Sequence, residues 1–285
     1  MAVTLACERP LDGAVAALLP GGRLHLQDGP IDIIAKAFGD PVAVRAAYGR
    51  AATRFARVLD ELVSELPALR SESGPVSGPV ARRMAAAVAP FRSEFITPMA
   101  AVAGSVAEEV LAALRGPGIL RAYANNGGDI ALWLAPGESL ACALAGGGDR
   151  VTVRESDPVR GIATSGWRGR SFSLGIADAV TVLARTAALA DAAATMIANA
   201  VVIDHPGILR RPAREVQCDS DLGHRLVTVA VPVLATDDCV RALEAGLRAA
   251  EGYRLRGLIE GAALFLQGAC RVTGALALDR GDAHG

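Results

Sequence analysis

Aromatic side chains are scarce in this sequence of 285 residues, where phenylalanine, tryptophan and tyrosine together make up 4%. Hydrophobic residues as a whole make up 52%, alanine dominates among them, and 31 glycines stand beside them. A core of this composition packs backbones closely together rather than filling space with rings. The length allows one large domain or two small ones, and no boundary is strong enough to divide the chain.

An excess of charge of either sign is also missing, because 29 lysine and arginine residues stand against 30 aspartate and glutamate residues. This balance gives no argument for binding to nucleic acid or to an anionic membrane surface. Apolar runs long enough to span a membrane without a charge do not occur either. We therefore expect no nucleic-acid or membrane partner; the segments described below suggest a small-molecule ligand instead.

Paired cysteines are absent as well. The five cysteines are widely spaced, odd in number and without a CxxC pair; they are Cys7, Cys142, Cys218, Cys239 and Cys270. This pattern favours reduced thiols over a disulfide framework or a zinc site, and it predicts a cytoplasmic protein. Leu5-Ala6-Cys7 resembles the end of a lipoprotein signal, but no basic segment or sufficient apolar run precedes it, so we expect no such signal.

The first half of the chain predicts a hairpin followed by helices. Residues 23–38 form two apolar runs around Asp28-Gly29, which is a hairpin signal. Apolar residues at helical spacing predict one long amphipathic helix over 41–66, ended by Pro67. A second helix is predicted from Pro79 to about residue 89. A third is predicted from Thr97-Pro98 to Gly116, with Thr97 as its N-cap.

The second half alternates short strands with glycine-rich turns. Strands are predicted at about 119–124, 130–134, 138–145, 150–154, 160–164, 177–183 and 226–234, with a final strand at 258–265. Helices are predicted at 187–200 and 237–250. Short spacing between strands favours antiparallel pairing, so we expect an α+β fold with helices packed on an antiparallel sheet. We predict one domain over 23–272, after a lead-in at 1–22 and before a flexible tail at 273–285.

The helix predicted at 187–200 carries three polar residues on an apolar background. Asp191, Thr195 and Asn199 are spaced i, i+4 and i+8, so they lie on one face. A carboxylate is costly to bury alone, and a hard cation bound by the Asp191 and Thr195 oxygens would satisfy it. The alternative is that Asp191 faces solvent near the helix start, where the helix dipole favours it.

Two other segments suit an anionic ligand. In residues 161–172 a strand ends in Thr164-Ser165-Gly166, after which Arg168 and Arg170 flank a glycine. Serine and two guanidiniums suit a phosphate or carboxylate, and the alternative is a surface loop with solvated arginines. Ser165 as a nucleophile lacks a local histidine. The helix start that includes Met99 is able to receive an anion at its N-terminus, or it simply packs closely against a neighbour.

The stretch NNGGD places five turn-forming residues in a row at Asn125–Asp129. Gly127-Gly128 permits a ligand to approach the backbone, with Asn125, Asn126 and Asp129 at the rim of the sheet. The alternative is a hairpin turn with a small bulge, since Asn-Gly is itself a strong turn signal.

In this order, the motifs NNGGDI, ATSG and ADAAAT resemble the signature of the FAD:protein FMN transferase (ApbE-like) superfamily. The longer segments FITPMAAVAGSVAEEVL, NNGGDIALWLAPG and GIATSGWRGRSFSLGIADAVTVLA are similar to a functionally uncharacterised branch of that superfamily. The resemblance to the branch extends from LQDGPIDI to beyond Asn199, whereas the match to the transferases themselves is confined to the short motifs.

The resemblance implies a fold, a cofactor and roles for particular residues. It implies an ApbE-like fold in which Asp191 and Thr195 bind magnesium together with a backbone carbonyl near Val102. The residues that it places at the nucleotide, flavin and phosphates are Asn126, Gly127, Gly128, Asp129, Thr164, Ser165 and Gly166. FAD is then the substrate, FMN passes to a protein hydroxyl, and Asp129 or Asp178 is the general base.

The sequence departs from the transferases at two places. Where they have Ala-Lys-Gly, this chain has Val102-Ala103-Gly104, and their His-x-x-Asp-Pro-x-x-Gly segment is replaced by SFSLGIADAVTV. These departures leave three functions open. They are magnesium-dependent FMN transfer to a protein, a different enzyme such as a hydrolase whose small anionic or heterocyclic substrate is bound by Arg168 and Arg170, and a non-catalytic flavin or nucleotide binding module. Small-residue helices and strand edges also suggest a homodimer.

Overall fold

The computed structural model describes residues 13–143, 150–274 and 278–279. Its main element is a nine-stranded sheet in which every neighbouring pair is antiparallel. In spatial order the strands are β1 (Val15–Leu19), β2 (Arg23–Asp28), β3 (Ile31–Gly39), β4 (Ile119–Asn126), β5 (Asp129–Leu134), β8 (Gly161–Ser165), β9 (Ala179–Ala184), β12 (Gly261–Leu266) and β13 (Ala269–Gly274).

Two smaller sheets stand apart from the main one. One contains β10 (Leu209–Pro212) and β11 (Leu226–Ala230), and the other places β7 (Arg150–Arg154) between β6 (Ser139–Ala143) and β14 (Leu278–Asp279). The β10–β11 pair is thus a two-stranded sheet of its own. The segment between its two strands borders the main cavity of the protein.

The helices pack on the main sheet. They are α1 (Pro41–Phe55), α2 (Val58–Ser64), α3 (Leu66–Leu69), α4 (Pro79–Val88), α5 (Val102–Leu114), α6 (Ala187–Ala200), α7 (Ala213–Val216) and α8 (Thr236–Leu255). Short 3-10 helices lie at Ala89–Phe91 and Pro98–Ala101. Among the described residues, no helix is both long and apolar enough to cross a bilayer.

The scarcity of rings shows in how α5 and α6 meet. Seven of the nine buried residues of α6 are alanines, and a Cβ built at Gly104 of α5 would lie 2.3 Å from the Ala187 carbonyl oxygen. A Cβ at Gly161 of β8 would likewise lie 2.2 Å from the Ala187 nitrogen. The α6 backbone is therefore in direct contact with both neighbours, as the small-residue composition predicts.

The structure confirms the predicted fold class, helices packed on an antiparallel sheet. It also contains the hairpin around Asp28-Gly29, the helix at Pro79–Val88 and the helix at Ala187–Ala200. The four described cysteines, Cys142, Cys218, Cys239 and Cys270, form no disulfide. Cys7 lies outside the described residues.

The single helix predicted over 41–66 is wrong, because the chain breaks after Phe55 and forms α1, α2 and α3. At the break the Arg57 N–H donates to the Arg54 carbonyl oxygen at 3.3 Å, which tightens the turn to three residues. Phe55 and Val58, on either side of it, are both buried. Pro67 occupies the first turn of α3, where its missing N–H costs nothing, so it starts a helix rather than ending one.

The helix predicted from Thr97 also begins differently. Pro98–Ala101 is a 3-10 turn, α5 starts at Val102, and Thr97 makes no capping hydrogen bond. Its hydroxyl instead donates to Asp221, 2.5 Å away. The local pattern of threonine before proline is typical of a helix cap. The Thr97 hydroxyl is instead hydrogen-bonded to Asp221, 124 residues along the chain.

Four strands were not predicted from the sequence: β1, β10, β13 and β14. β1 lies within the segment 1–22 and pairs with β2 from Val15–Gln27 to Leu19–Arg23. The predicted final strand is followed by β13, which pairs with it through a two-residue turn. Much of the tail predicted at 273–285 lies outside the described residues, although Leu278 pairs with Val151 of β7.

The contact between α5 and α6 predicts a large cost for any side chain at Gly104. Gly104→Ala should destabilise the protein by about 2 kcal/mol, since the new methyl group meets backbone and not a flexible side chain. Gly49→Ala in α1 is the matched control, because nothing lies within 4 Å of its Cβ position. It should stabilise the protein by about 0.5 kcal/mol through helix propensity. Urea unfolding measures both changes, and equal effects would contradict the proposed contact.

Candidate functional site

A cavity of about 690 Å³ opens where five segments of the chain converge. This volume is in the range of small-molecule and cofactor sites. The walls come from the start of α5, the β4–β5 turn, the loop after β8, one face of α6 and the loop between α7 and β11. The predicted site residues that line it are Met99, Asn126, Gly127, Asp129, Thr164, Ser165, Gly166, Arg168, Arg170, Asp191 and Thr195.

The polar face of α6 forms one wall. Asp191, Thr195 and Asn199 all line the cavity, as their spacing predicts for one helix face. The Asn199 side-chain oxygen accepts the Leu174 N–H at 2.9 Å, which fixes the loop after β8 on this helix. Thr195 makes no hydrogen bond through its side chain among the described residues, so its hydroxyl is available to a ligand.

Asp191 does not simply face solvent. Its carboxylate accepts the Gly104 N–H at 2.9 Å, and it also accepts the Ala103 N–H. These are first-turn N–H groups of α5, whose own N-cap residue, Ala101, makes no side-chain cap. Asp191 therefore caps the neighbouring helix and is exposed only in part, where it lines the cavity.

The reverse contact also exists. Glu108, one turn into α5, accepts the Ala188 N–H at the start of α6 at 2.8 Å. Thr186 completes that end of α6 by accepting the Leu189 N–H at 3.2 Å. Each of the two helices thus supplies a carboxylate to the N-terminus of the other, and both N-termini meet beside the cavity.

Asp129 is the first residue of β5 and is buried. Its carboxylate accepts the Thr164 N–H from β8 at 3.1 Å and shares a hydrogen bond with Asp191. Burial raises the pKa of Asp129 to about 7, although the Thr164 N–H, the bond to Asp191 and the positive charge of Arg170 all act to lower it. Such a carboxyl exchanges its proton near neutral pH.

Asp191 is the second member of this carboxyl pair. Burial raises its pKa well above the ordinary value, the negative charge of Asp129 raises it further, and the Gly104 N–H opposes the shift. Two buried carboxylates in contact are not both ionised, so in the absence of a cation the pair holds a proton between its members.

The same pair suits a divalent cation. The Asp191, Asp129 and Thr195 oxygens border one cavity, and magnesium is commonly bound by one or two carboxylates while phosphates and water complete its shell. The described residues hold no cluster of three or more His, Cys, Asp or Glu side chains suited to a metal. A cation here would therefore need a bound small molecule and water to fill its remaining coordination positions.

The β4–β5 turn divides its five residues between folding and the site. The Asn125 side chain accepts the Gly128 N–H at 2.8 Å and closes the turn, while Gly127 and Gly128 adopt the positive φ values of 65° and 115° that it requires. Asn126 is buried and donates to the Ala103 carbonyl oxygen at 3.2 Å. Only Asp129 of the five offers a titratable group to the cavity.

Asn125 and Gly128 do not line the main cavity. They border a shallow depression on the other side of Gly127, together with Asp32. Arg170 borders both spaces. The structure therefore separates the asparagine and glycine at the outer face of the turn from the other predicted ligand contacts.

The two arginines of the loop after β8 are not equivalent. Arg168 Nε donates to Asp178 Oδ1 at 2.7 Å. Arg170 makes no hydrogen bond or ion pair within the described part of the chain. Its guanidinium lies over Gly127, where an added Cβ would be 2.0 Å from its Nη2 atom. Arg170 is thus the loop arginine whose donors are free for an anion.

Asp178 lies outside the cavity lining. Its carboxylate accepts three donors, which are Trp167 Nε1 at 3.2 Å, Arg168 Nε at 2.7 Å and the Gln267 N–H at 2.6 Å. A carboxylate engaged in this way anchors the loop. Of the two predicted general bases, the structure brings only Asp129 to the cavity. Ser165 also lines it, and no histidine does.

Several lining residues were not predicted from the sequence. Phe95 and Phe172 supply apolar rings, and Arg70 reaches the rim from the end of α3. The loop between α7 and β11 contributes Asp219, which pairs with Arg70 at 2.8 Å, and Asp221, which accepts from Thr97. No spacing within the sequence relates this loop to the other walls, because the pairs span 149 and 124 residues.

The chain is similar to known proteins over most of its length. A family model described as AbpE bacteria matches residues 16–272. The UPF0280 protein of Methanococcoides burtonii is 37% identical over 127 residues, which are 42% of this chain and 53% of that protein. The UPF0280 protein of Methanocella arvoryzae is 31% identical over 191 residues, which are 63% of this chain and 74% of that protein.

The chain spans about half the length of the first of these curated relatives, namely 53% and 54% for the Methanococcoides burtonii and Methanothrix thermoacetophila proteins. Among solved structures, the apo form of the Pseudomonas stutzeri flavinyl transferase ApbE is similar with a TM-score of 0.39 and 13% identity. That similarity covers 91% of this chain and 93% of the other.

The carboxyl pair predicts how stability depends on pH. A folded-state pKa of about 7 for Asp129 means that the folded protein keeps a proton that the unfolded chain releases above about pH 4. The stabilisation is therefore complete at low pH and is lost as the pH rises to about 7. Asp129→Asn removes this loss, so the stability of the variant relative to wild type should increase by roughly 4 kcal/mol from pH 4 to pH 8.

Urea unfolding in EDTA over this pH range measures the difference. Asp237→Asn, at an exposed position in the first turn of α8, is the control and should give a difference that changes little with pH. If the stability difference between Asp129→Asn and wild type is also independent of pH, the pair holds no extra proton.

Proposed function

Because the chain belongs to the family described as AbpE bacteria, we propose that it binds FAD in the main cavity and transfers the FMN half to a protein hydroxyl with the help of magnesium. The observation that carries this proposal is the Asp129–Asp191 pair at the meeting point of two helix N-termini. Backbone N–H groups and the positive helix ends favour phosphate there, and the acid pair favours a cation beside it.

Asp191 and Thr195 are the residues that we propose to hold magnesium, with Asp129 beside them. When bound, the ion would neutralise pyrophosphate charge and stabilise the charge that develops on its oxygens. The remaining chemistry belongs to the chain's own residues. Arg170 binds the anionic part of the ligand with its free guanidinium, and Ser165 is placed to donate its hydroxyl to a phosphate.

The transfer step needs a base for the acceptor hydroxyl. The acceptor oxygen attacks the phosphorus of the FMN half, the bond from that phosphorus to the AMP half breaks, and AMP leaves. Asp129 takes the hydroxyl proton. Its pKa of about 7 in the metal-free protein supports this role, because a general base works best when its pKa lies near the operating pH. Asp178 is less suited, since three donors already engage its carboxylate.

A second enzyme function has its own support. Lys36 is the only lysine in the sequence, and its ammonium group lies over the Phe38 ring on β3. The cavity therefore takes its positive charge from arginines alone, of which Arg170 is free. A small anionic or heterocyclic substrate bound by Arg170 between Phe95 and Phe172 would use the same carboxyl pair without a nucleotide. A binding module without catalysis would use these contacts and leave FAD intact.

Ligand-dependent stability tests the metal and the nucleotide. Magnesium with FAD at about 100 times its Kd should raise the Tm by roughly 5 °C, because a ligand selective for the native state adds about 2.7 kcal/mol. Thr195→Val should abolish the contribution of magnesium while leaving the Tm without ligand nearly unchanged, since the Thr195 side chain has no hydrogen bond to lose. The absence of any shift at millimolar FAD and magnesium would contradict FAD binding.

A protein-acceptor assay then separates transfer from binding. Mass spectrometry of a serine- or threonine-containing acceptor, incubated with the protein, FAD and magnesium, should show the mass of FMN together with released AMP. Bound FAD that remains intact would support the binding module instead.

The unequal arginines make a separate prediction. Arg170→Ala should weaken binding of ADP or pyrophosphate about tenfold or more, because it removes charge-assisted hydrogen bonds worth about 1.5–3 kcal/mol. Arg168→Ala should leave this affinity within about threefold and lower the Tm by releasing Asp178. Isothermal titration calorimetry measures both affinities. Equal losses would show that both guanidiniums bind the anion.

A further inference from the structure

We propose that Glu108 is a positioning residue for Asp191, because it caps the helix that carries Asp191 and the two helix caps hold each other in place. Glu108 does not line the cavity and acts only through α6. The proposal deepens the proposed function, on which its consequence for magnesium rests. The mutual positioning of the two helix ends does not depend on the proposed function, because it is inferred from the contacts between the helices.

The first turn of α6 depends on Glu108. Ala187 and Ala188 are buried, so water does not reach their N–H groups. The Glu108 carboxylate accepts both of these N–H groups, with 2.8 Å to the Ala188 nitrogen, and accepts the Thr186 hydroxyl as well. Buried donors without a partner are strongly unfavourable, so removal of this carboxylate would oblige the first turn of α6 to move or unwind.

The cap contacts form a closed ring between the two helices. Asp191 lies three residues after Ala188 on α6 and accepts the Gly104 N–H of α5. Glu108 lies four residues after Gly104 on α5 and accepts the Ala188 N–H of α6. A shift of either helix end therefore lengthens both caps together. The absence of room for a Cβ at Gly104 against Ala187 leaves little freedom for the helices to adjust separately.

Arg83 of α4 completes the arrangement from outside the two helices. Its Nε lies 3.2 Å from Glu108 Oε2, and its Nη1 donates to the Ser105 carbonyl oxygen at 3.0 Å. Burial raises the pKa of Glu108, whereas the α6 N–H groups and Arg83 oppose that shift and favour the ionised acceptor. The cap contacts therefore oppose the effect of burial on Glu108 and do not outweigh it.

Glu109 offers a matched control on the same helix. It is also largely buried, and it pairs with Arg54 at 2.7 Å and with Arg83 at 2.9 Å. None of its hydrogen bonds or ion pairs reaches α6. Glu109→Ala therefore removes a buried carboxylate with two ion pairs and leaves both helix caps intact, so it reports the general cost of losing such a group.

The test is amide hydrogen exchange by NMR in the ligand-free protein, with Glu108→Ala, Glu108→Gln and Glu109→Ala. Glu108→Ala should speed exchange at Ala188 and also at Gly104 by about fivefold or more relative to Val110 within α5. Glu108→Gln keeps a side-chain oxygen as acceptor and should restore much of the protection at both sites. Glu109→Ala should leave the ratio of Gly104 to Val110 at its wild-type value.

Faster exchange at Ala188 alone would overturn the proposal, since Glu108 would then be a local cap. An equal effect of Glu109→Ala on Gly104 would overturn it too, because general loosening would explain the result. Should Glu108→Ala fail to fold, Glu108→Asp withdraws the carboxylate by one methylene and should give the same pattern at smaller amplitude. If the exchange rate at Gly104 is unchanged in that variant, the proposal is likewise overturned.

Magnesium titration in the presence of ADP adds the functional readout. Glu108→Ala should weaken magnesium about tenfold, as loss of an outer-shell partner does, while Glu109→Ala should not. If wild-type protein binds no magnesium, the proposed function fails and the exchange result still decides whether Glu108 positions Asp191. If wild type binds magnesium and Glu108→Ala binds it equally well, the positioning role is wrong and the proposed function stands.

Discussion

The mutual capping of α5 and α6 is the contact on which the arrangement of this site depends. Two helix N-termini meet beside the cavity, and the residues Gly104, Ala187 and Ala188 of their first turns are buried, so carboxylates accept N–H groups that water does not reach. Asp191 serves α5 and Glu108 serves α6. Only small residues let the helices approach closely enough, which gives the abundance of alanine and glycine a specific structural purpose at Gly104 and Ala187.

This packing places an acidic group where the positive helix ends alone would favour an anion. Asp191 balances part of the positive potential, and its contact with Asp129 then creates a pair that favours either a shared proton or a cation. A ligand that brings both a divalent cation and a phosphate satisfies the acid pair and the helix ends together. A simple anion satisfies only the helix ends and Arg170.

Local features of the site could be predicted from the sequence, and long-range pairings could not. Helical periodicity places Asp191 and Thr195 on one face, and the turn residues locate Asp129 at the sheet rim, because each depends on neighbours within a few residues. The three donors to Asp178 and the caps supplied by Asp191 and Glu108 depend on segments that only the fold brings together. Helical periodicity also does not reveal the break after Phe55, because the buried residues Phe55, Val58 and Leu62 keep helical spacing across it.

The composition of the cavity wall limits which side chains are able to donate or accept a proton there. Arginine stays protonated across the range in which proteins function, so Arg170 supplies charge and hydrogen bonds and is no proton donor for catalysis. No histidine lines the cavity, and the only lysine is on β3 against Phe38. Among the described carboxyl groups that line the cavity, Asp129 is the one whose pKa burial raises to about 7, which makes the Asp129–Asp191 pair the best-suited group for proton transfer near neutral pH. Asp191 belongs both to this pair and to the cap of α5, so the proton chemistry that we propose and the packing of the small-residue helices share one side chain.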